Sequence, residues 1–302
     1  MLKSTPGVWI RAVRLRTLPL SIAGIVVGNA LCINDPRFSW TLFILMIITA
    51  MLFQIVSNLA NDLGDGLKGT DNEQRIGPKR IFQSGLLTQS DLKKGIFFIL
   101  ILAIIFAMVI IFKAFGLEAL LYLFVFFGLT LFSIWAAIYY TIGNRAYGYK
   151  GWGDFFVFLF FGGLSVMGSY FVQVKELTGA SVSMSCVVGA LSVAVLNLNN
   201  MRDRVSDANA GKRTLVVLLG DQKAKVYHFL LVCGALLTLI FNQIQSFTSY
   251  FWLPLLVIIP LLFHLQRVFR FKEPSAYDPE LKKVALTTFG LSLLFLVNML
   301  IG

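Results

Sequence analysis

Charge is scarce in this chain. Only 14% of its 302 residues are Asp, Glu, Lys or Arg, against about a quarter in a soluble domain. With 57% hydrophobic residues and a mean hydropathy of +0.79, too little polar surface remains to cover a soluble globule. The low hydrophobicity that disorder requires is lacking as well. Cysteine is rare too. Cys32, Cys186 and Cys233 lie far apart in apolar stretches, which excludes a disulfide framework and any zinc-ligand spacing. The two histidines, His228 and His264, stand alone in the sequence, so helix-packing or interfacial positions are expected rather than metal or haem ligation. What remains is an all-α polytopic membrane protein.

A bilayer core about 30 Å thick needs about 20 apolar helical residues. Nine segments qualify, at about 17–34, 39–60, 95–113, 117–142, 153–173, 180–199, 226–243, 248–266 and 284–301. They are continuously apolar rather than alternating, so they read as helices, not barrel strands. Four basic residues, Lys3, Arg11, Arg14 and Arg16, precede the first run without a small-residue cleavage site after it. That run is read as a retained first helix.

The net charge of +11 looks at first like a nucleic-acid signal. Its distribution says otherwise. With the N-terminus in the cytoplasm, 23 of the 26 Lys and Arg fall on the cytoplasmic side, and only Arg37, Lys113 and Lys175 on the other. This positive-inside asymmetry supports nine spans and a bilayer partner rather than a nucleic acid. Three cytoplasmic loops stand out: 61–94 and 200–225, long and polar, and 143–152, short and rich in Gly and Tyr. Loops of the first kind in a compact membrane domain are often functional.

The two long loops resemble each other. Asn61-Asp62-x-x-Asp65 matches Asn199-Asn200-x-x-Asp203, each at the end of an apolar span running the same way. Asn61 and Asp65 are spaced i, i+4, as are Asn199, Asp203 and Asp207. If the helices continue into the loops, each motif presents a column of oxygen ligands on one face. Carboxylate and amide oxygens without His or Cys select a hard cation, and Mg²⁺ held by carboxylates and substrate phosphates fits. Lys68, Arg75, Lys79, Arg80, Lys212 and Arg213 interleave with the acids. Acids beside cations suggest a metal-bound polyphosphate whose remaining oxygens need donors. No Walker or Rossmann glycine pattern points to a soluble nucleotide. A diphosphate on a lipid would explain a site at the membrane surface. Each motif taken alone also reads as ordinary capping and turn residues. Two motifs in register at equivalent helix ends weigh against that.

These residues resemble the two aspartate-rich motifs of the UbiA superfamily of intramembrane aromatic prenyltransferases. The runs NDLGDGLKGTDNEQRIGPKRIFQSG (61–85), YTIGNRAYGYKGWGDFFVFLFFG (140–162), NNMRDRVSDANAGKRTLVVLLG (199–220) and RLRTLPLSIAGIVVG (14–28) carry the resemblance, which extends over most of the chain. It is strongest to the branch that prenylates 1,4-dihydroxy-2-naphthoate in menaquinone synthesis. The common first motif would place its last Asp at 69. That position is Gly69, and the next acid is Asp71, a longer spacing typical of this branch.

The resemblance implies one transmembrane domain over 1–302, a nine-helix bundle around a central cavity, in a bacterial plasma membrane with the site facing the cytoplasm. It implies transfer of a polyprenyl group from its diphosphate to the naphthoate, with loss of CO₂ and diphosphate, giving demethylmenaquinone. Two Mg²⁺ would bridge the diphosphate to Asp62 and Asp65 on one side and Asp203 and Asp207 on the other, with Asp71 a further metal candidate and Asn61 and Asn199 assisting. Arg145 and Asp154 match the branch pattern as catalytic candidates, one for an anion and the other for orienting the acceptor. A topology charge and a helix N-cap are the plainer readings of these two. Tyr140 and Tyr149, like Tyr139 and Tyr147, flank the third loop. They are candidate substrate contacts, with interfacial-belt tyrosines the plainer reading. Arg16 beside Pro19 could face the cavity. Two other readings stay open: a superfamily member with another aromatic acceptor, and a cation-coupled transporter. The first is opposed by the GTDN and YGYKGWGD runs, the second by span interiors nearly free of charge. Prenyl chain length and oligomeric state are not legible here.

Overall fold

In the computed structural model, which describes residues 5–70, 76–144, 146–246 and 252–301, every regular element is helical. Helix α1 (Pro6–Val13) starts on Pro6 and stops where Arg14 turns left-handed at φ 56°. A short 3₁₀ turn at Leu15–Thr17 leads into α2 (Leu18–Ala30). Then come α3 (Trp40–Leu67), α4 (Gln89–Phe115) and α5 (Leu120–Tyr139). Residues 153–174 form one rod: α6 (Gly153–Val157), a π-helical stretch (Phe158–Gly168) and α7 (Ser169–Val174). Long helices α8 (Gly179–Asn209) and α9 (Leu215–Ser246) follow, then α10 (Ile258–Arg270) and α11 (Tyr277–Ile301).

Helix starts are set by local chemistry. Thr88 and Asp91 form a reciprocal capping box at α4, and Thr178 and Ser181 do the same at α8. Gly220, at φ 73° and ψ 172°, kinks α9 one turn after its start.

Among the described residues seven helices are long and apolar enough to cross a membrane: α3, α4, α5, the 153–174 rod, α8, α9, and α11 with the turn before it. The expected span at 17–34 contains α2 and that at 248–266 overlaps α10, of 13 residues each. At 1.5 Å per residue that is about 20 Å of helix, short of the bilayer core. The expected loop at 200–225 is mostly helix. Helix α8 continues through Asn209 and α9 starts at Leu215, leaving five connecting residues, 210–214. Arg, Met and Val are compatible with a helix interior and Asp costs it little, so polarity alone does not end α8 there.

The histidines, alone in the sequence, meet in space. His228 Nε2 lies 2.7 Å from His264 Nε2, and His264 Nδ1 lies 2.7 Å from Glu280 Oε2. This buried chain joins α9, α10 and α11. Sequence separation hid it, since 36 residues part the two rings.

Helix α8 is the core of the bundle. Over its apolar stretch 56% of it is buried, against 6% for peripheral α5. The 153–174 rod packs between α2 and α8 through small residues on both sides. A Cβ on Gly28 would sit 2.1 Å from Ser169 Oγ and 2.3 Å from the Val166 carbonyl oxygen, and one on Gly162 would sit 2.5 Å from the Ser185 carbonyl. Where lipid removes the hydrophobic drive between helices, such close approach supplies the packing. At the end of this rod Gln173 accepts from Ser39 N (2.9 Å) and donates to Asn29 Oδ1 (2.7 Å).

Filling this seam has a predictable cost. Gly28→Val forces backbone apart and is expected to destabilise by about 1–3 kcal/mol, read as a lower midpoint of thermal unfolding in detergent. Gly128→Ala, where an added Cβ meets nothing within 4 Å, should leave the midpoint unchanged. Equal behaviour of the two variants would contradict this packing.

Candidate functional site

The site is built where α3 and α8 end. Both helices run through their polar motifs, so the expected columns of oxygens exist. On α3, Asn61 Oδ1 accepts from Thr141 Oγ1 (3.2 Å), which also donates to the Ala60 carbonyl (3.1 Å). Gly64 permits this approach, because a Cβ there would lie 2.5 Å from Thr141 Oγ1. Asp62 is buried and accepts from the backbone N–H groups of Ile81 (3.2 Å) and Phe82 (3.4 Å). It therefore tethers the following loop. Asp65, also buried, accepts from the Tyr149 hydroxyl at 2.7 Å, and Thr70 Oγ1 lies 2.6 Å from the same hydroxyl.

On α8, Arg202 is almost fully buried and grips Asp203 with two parallel bonds, Nε to Oδ1 (2.9 Å) and Nη2 to Oδ2 (2.7 Å). Its Nη2 also donates to Asn199 Oδ1 (2.9 Å) and its Nη1 to Asp278 in the first turn of α11. Asp207 pairs with Lys212 at 3.5 Å, while its Oδ2 is buried without a hydrogen-bond partner.

Tyr149 joins the two motifs. Its hydroxyl reaches Asp65 of the first, and its carbonyl accepts from Arg213 N (3.1 Å) beside the second. Lys68 Nζ stands 3.9 Å from the centre of its ring and Lys212 Nζ 5.5 Å. Burial, then the charge of Asp65, pushes the Tyr149 phenol well above its ordinary range, so it stays a donor. Burial works against the Lys212 ammonium, but Asp65 and Asp207, with Tyr149 and Asp203, outweigh it and hold the pKa up. Burial lowers that of Lys68, opposed by Asp65 and reinforced by Lys212. Lys212 is thus the counter-charge among the acids of both motifs.

Two cavities open at this end. The larger, about 380 Å³, runs along α3 from Asn61 to Met46, which is about 22 Å of helix. It is lined also by Ile25, Ile110, Phe126, Tyr140, Tyr147, Phe156 and Phe160. Four of its hydroxyls are turned back onto their own helices: Ser21 to Leu18 O, Thr49 to Leu45 O, Thr130 to Phe126 O and Ser133 to Leu129 O. The wall is therefore mostly hydrocarbon and aromatic, with Gln54, Ser57, Asn61 and Ser165 as polar members. Tyr147 and Phe156 pack with ring centres 4.1 Å apart. The second cavity, about 360 Å³, is lined among the described residues by Arg11, Arg14, Arg16, Lys79 and Arg80 together with the carboxylate of Asp62.

The structure thus brings together Asp65, Lys68, Tyr149, Asp207 and Lys212, and it sets Asp62, Lys79 and Arg80 on the cationic cleft. Arg213 contributes its backbone while its side chain is exposed. Asp154 is buried at the start of α6, bonded to Tyr227 with its Oδ1 unpartnered. Asp71, Arg75 and Arg145 lie outside the described residues. Among the described residues no three acids, histidines or cysteines converge as a metal-ligand group. The reason is geometric: Arg202 occupies Asp203, the loop occupies Asp62, and Lys212 stands among the others. The donor set still suits a hard cation, since it is all oxygen and includes the orphan Asp207 Oδ2. Sequence reasoning passed over Arg202, Asp278, Thr70, Thr141, Arg11 and Arg14. The available signals were the places of Arg202 inside the second motif and of Arg14, Thr70 and Thr141 inside the other runs that carry the resemblance.

Residues 21–289 match the family described as the UbiA prenyltransferase family. The chain is 40% identical to 1,4-dihydroxy-2-naphthoate octaprenyltransferase of Escherichia coli, covering 97% of this chain and 95% of that protein. It is 37% identical to the Haemophilus influenzae protein of the same name, covering 100% and 98%. Among solved structures it resembles a UbiA homolog from Archaeoglobus fulgidus bound to GPP and Mg²⁺, at TM-score 0.71 and 17% identity over 97% of this chain and 98% of that one. An apo UbiA homolog from Aeropyrum pernix gives 0.69 at 14% identity, over 95% and 98%. The chain belongs to the UbiA prenyltransferase family.

Proposed function

We propose that this chain transfers a polyprenyl group from polyprenyl diphosphate to 1,4-dihydroxy-2-naphthoate. The allylic C–O bond to diphosphate breaks, and a C–C bond forms at the ring carbon that carries the carboxylate. CO₂ then leaves and returns its bonding electrons to the ring, giving demethylmenaquinone in its reduced form. The single observation that carries this reading is the meeting of two acidic motifs, with their cations, at the mouth of an apolar cavity. The relatives' shared name supports the acceptor.

Each part has a role. The hydrocarbon cavity takes the prenyl chain and excludes water. Lys68 and Lys212 donate to diphosphate oxygens, and Tyr149 sets their spacing. Tyr140, Tyr147 and Phe156 line the cavity, and their aromatic quadrupoles would stabilise an allylic carbon that becomes cationic there. Arg11 and Lys79 line the cationic cleft beside Asp62 and add positive charge on the side from which the anionic substrate comes. Asp65 and Asp207, with Asp62 and Asp203, would hold Mg²⁺, two ions in all, which supplies Lewis-acid stabilisation of the departing diphosphate. The whole chain is read as one transmembrane domain of nine spans. Its N-terminus and site face the cytoplasm of a bacterial plasma membrane. The 23-to-3 division of basic residues supports this, as does the packing of α1 at the same end as the site, where Asn58 Nδ2 donates to the Val13 carbonyl at 2.8 Å.

In purified protein, Asp65→Asn is expected to lower kcat by about 100-fold or more, the scale seen when a preorganised charge-stabilising group is lost, while the fold is kept. Wild-type rate in that variant would remove Asp65 from the machinery. Tyr149→Phe keeps the ring between the two lysines but drops the bond to Asp65, so the KM for the diphosphate should rise. An unchanged KM would refute its bridging role. Acceptor identity is tested with a labelled polyprenyl diphosphate and a panel of aromatic acids. Dihydroxynaphthoate should be prenylated, and product from hydroxybenzoate alone would overturn the assignment.

A further inference from the structure

Asp203 is not a free carboxylate. Arg202 occupies both of its oxygens at 2.9 and 2.7 Å, and the pair is almost fully buried. A fork of this kind fixes the carboxylate plane as well as its position. The same guanidinium is itself held from two further directions. Asn199, one turn earlier on α8, accepts from Nη2 at 2.9 Å, and Asp278 of α11 accepts from Nη1. Four donor contacts leave Arg202 no alternative orientation. The anchors differ in kind. Asn199 belongs to the motif, but Asp278 lies 76 residues away, and its side chain is 41% exposed. It is the one member of the set that links the motif to another helix.

We propose that Arg202 and Asp278 are positioning residues for Asp203. Asp278 fixes the guanidinium from the first turn of α11, and the guanidinium fixes the carboxylate. The fork sets the plane in which the Asp203 carboxylate stands beside Asp207. Without the anchor the guanidinium can swing, the carboxylate turns with it, and the donor geometry of the second motif is lost. The inference rests on the reading of the two motifs as a metal-diphosphate site, and it adds α11 to that site. Partners that hold a metal-binding side chain from behind commonly change metal affinity by about 10- to 100-fold when removed.

The test is direct Mn²⁺ binding, followed by electron paramagnetic resonance, to purified full-length protein in detergent with inorganic diphosphate. Wild type is compared with Asp278→Ala, Arg202→Lys and, as a control, Glu273→Gln, an exposed acid in the same connection. Asp278→Ala should weaken Mn²⁺ binding by about 10-fold with the thermal midpoint unchanged, and the Mg²⁺ concentration for half-maximal prenyl transfer should rise by the same factor. Arg202→Lys, which keeps the charge but not the fork, should also weaken Mn²⁺ binding. Glu273→Gln should match wild type. Unchanged Mn²⁺ affinity in Asp278→Ala, or a lower thermal midpoint and kcat with Mn²⁺ affinity unmoved, overturns the proposal and leaves the metal reading standing. No Mn²⁺ binding by wild type overturns both.

Discussion

Everything at this site depends on compensating carboxylates that are buried at the end of membrane helices. Asp62, Asp65, Asp203 and Asp207 are each at most 5% exposed. An uncompensated buried charge costs several kcal/mol, by order of magnitude. The chain meets that cost differently for each acid. Two backbone N–H groups bond Asp62, Tyr149 donates to Asp65, Arg202 forks Asp203, and Lys212 stands beside Asp207. These compensations also dictate the architecture. They tie the loop after α3, the 146–151 turn, the α8–α9 connection and the start of α11 to one place.

The same constraint explains how such a site can be both stable and reactive. Lys212, Lys68 and Tyr149 hold negative groups apart, with one oxygen of Asp207 still unpartnered. An anion with its own cations can enter such a lattice by exchanging partners rather than by creating new buried charge. On the proposed reading, the mostly apolar cavity beginning at Asn61 would align a hydrocarbon chain with that exchange point.

Much of this was legible in the sequence, and for physical reasons. Apolar run length located helices in all nine expected segments. The i, i+4 spacing of Asn61 with Asp65, and of Asn199 with Asp203, fits α3 and α8, which run on through both motifs. What stayed hidden depends on pairing across distance. No local pattern signals that Arg202 reaches Asp278, or that His228 meets His264 and Glu280. At α2 and α10 the apolar runs also take in turn and 3₁₀ residues beside a 13-residue α-helix. Polar residues misled at 200–225, where α8 runs on through Asn209.

The central claim is that the two motifs form one diphosphate site. A double-mutant cycle tests it most directly, with binding of a labelled polyprenyl diphosphate in Mg²⁺ measured for wild type, Asp65→Asn, Asp207→Asn and the double variant. If the acids act as one unit, either single change should lose nearly as much affinity as both together, a strongly non-additive result. Losses that simply add would mean two independent groups, and would contradict the account.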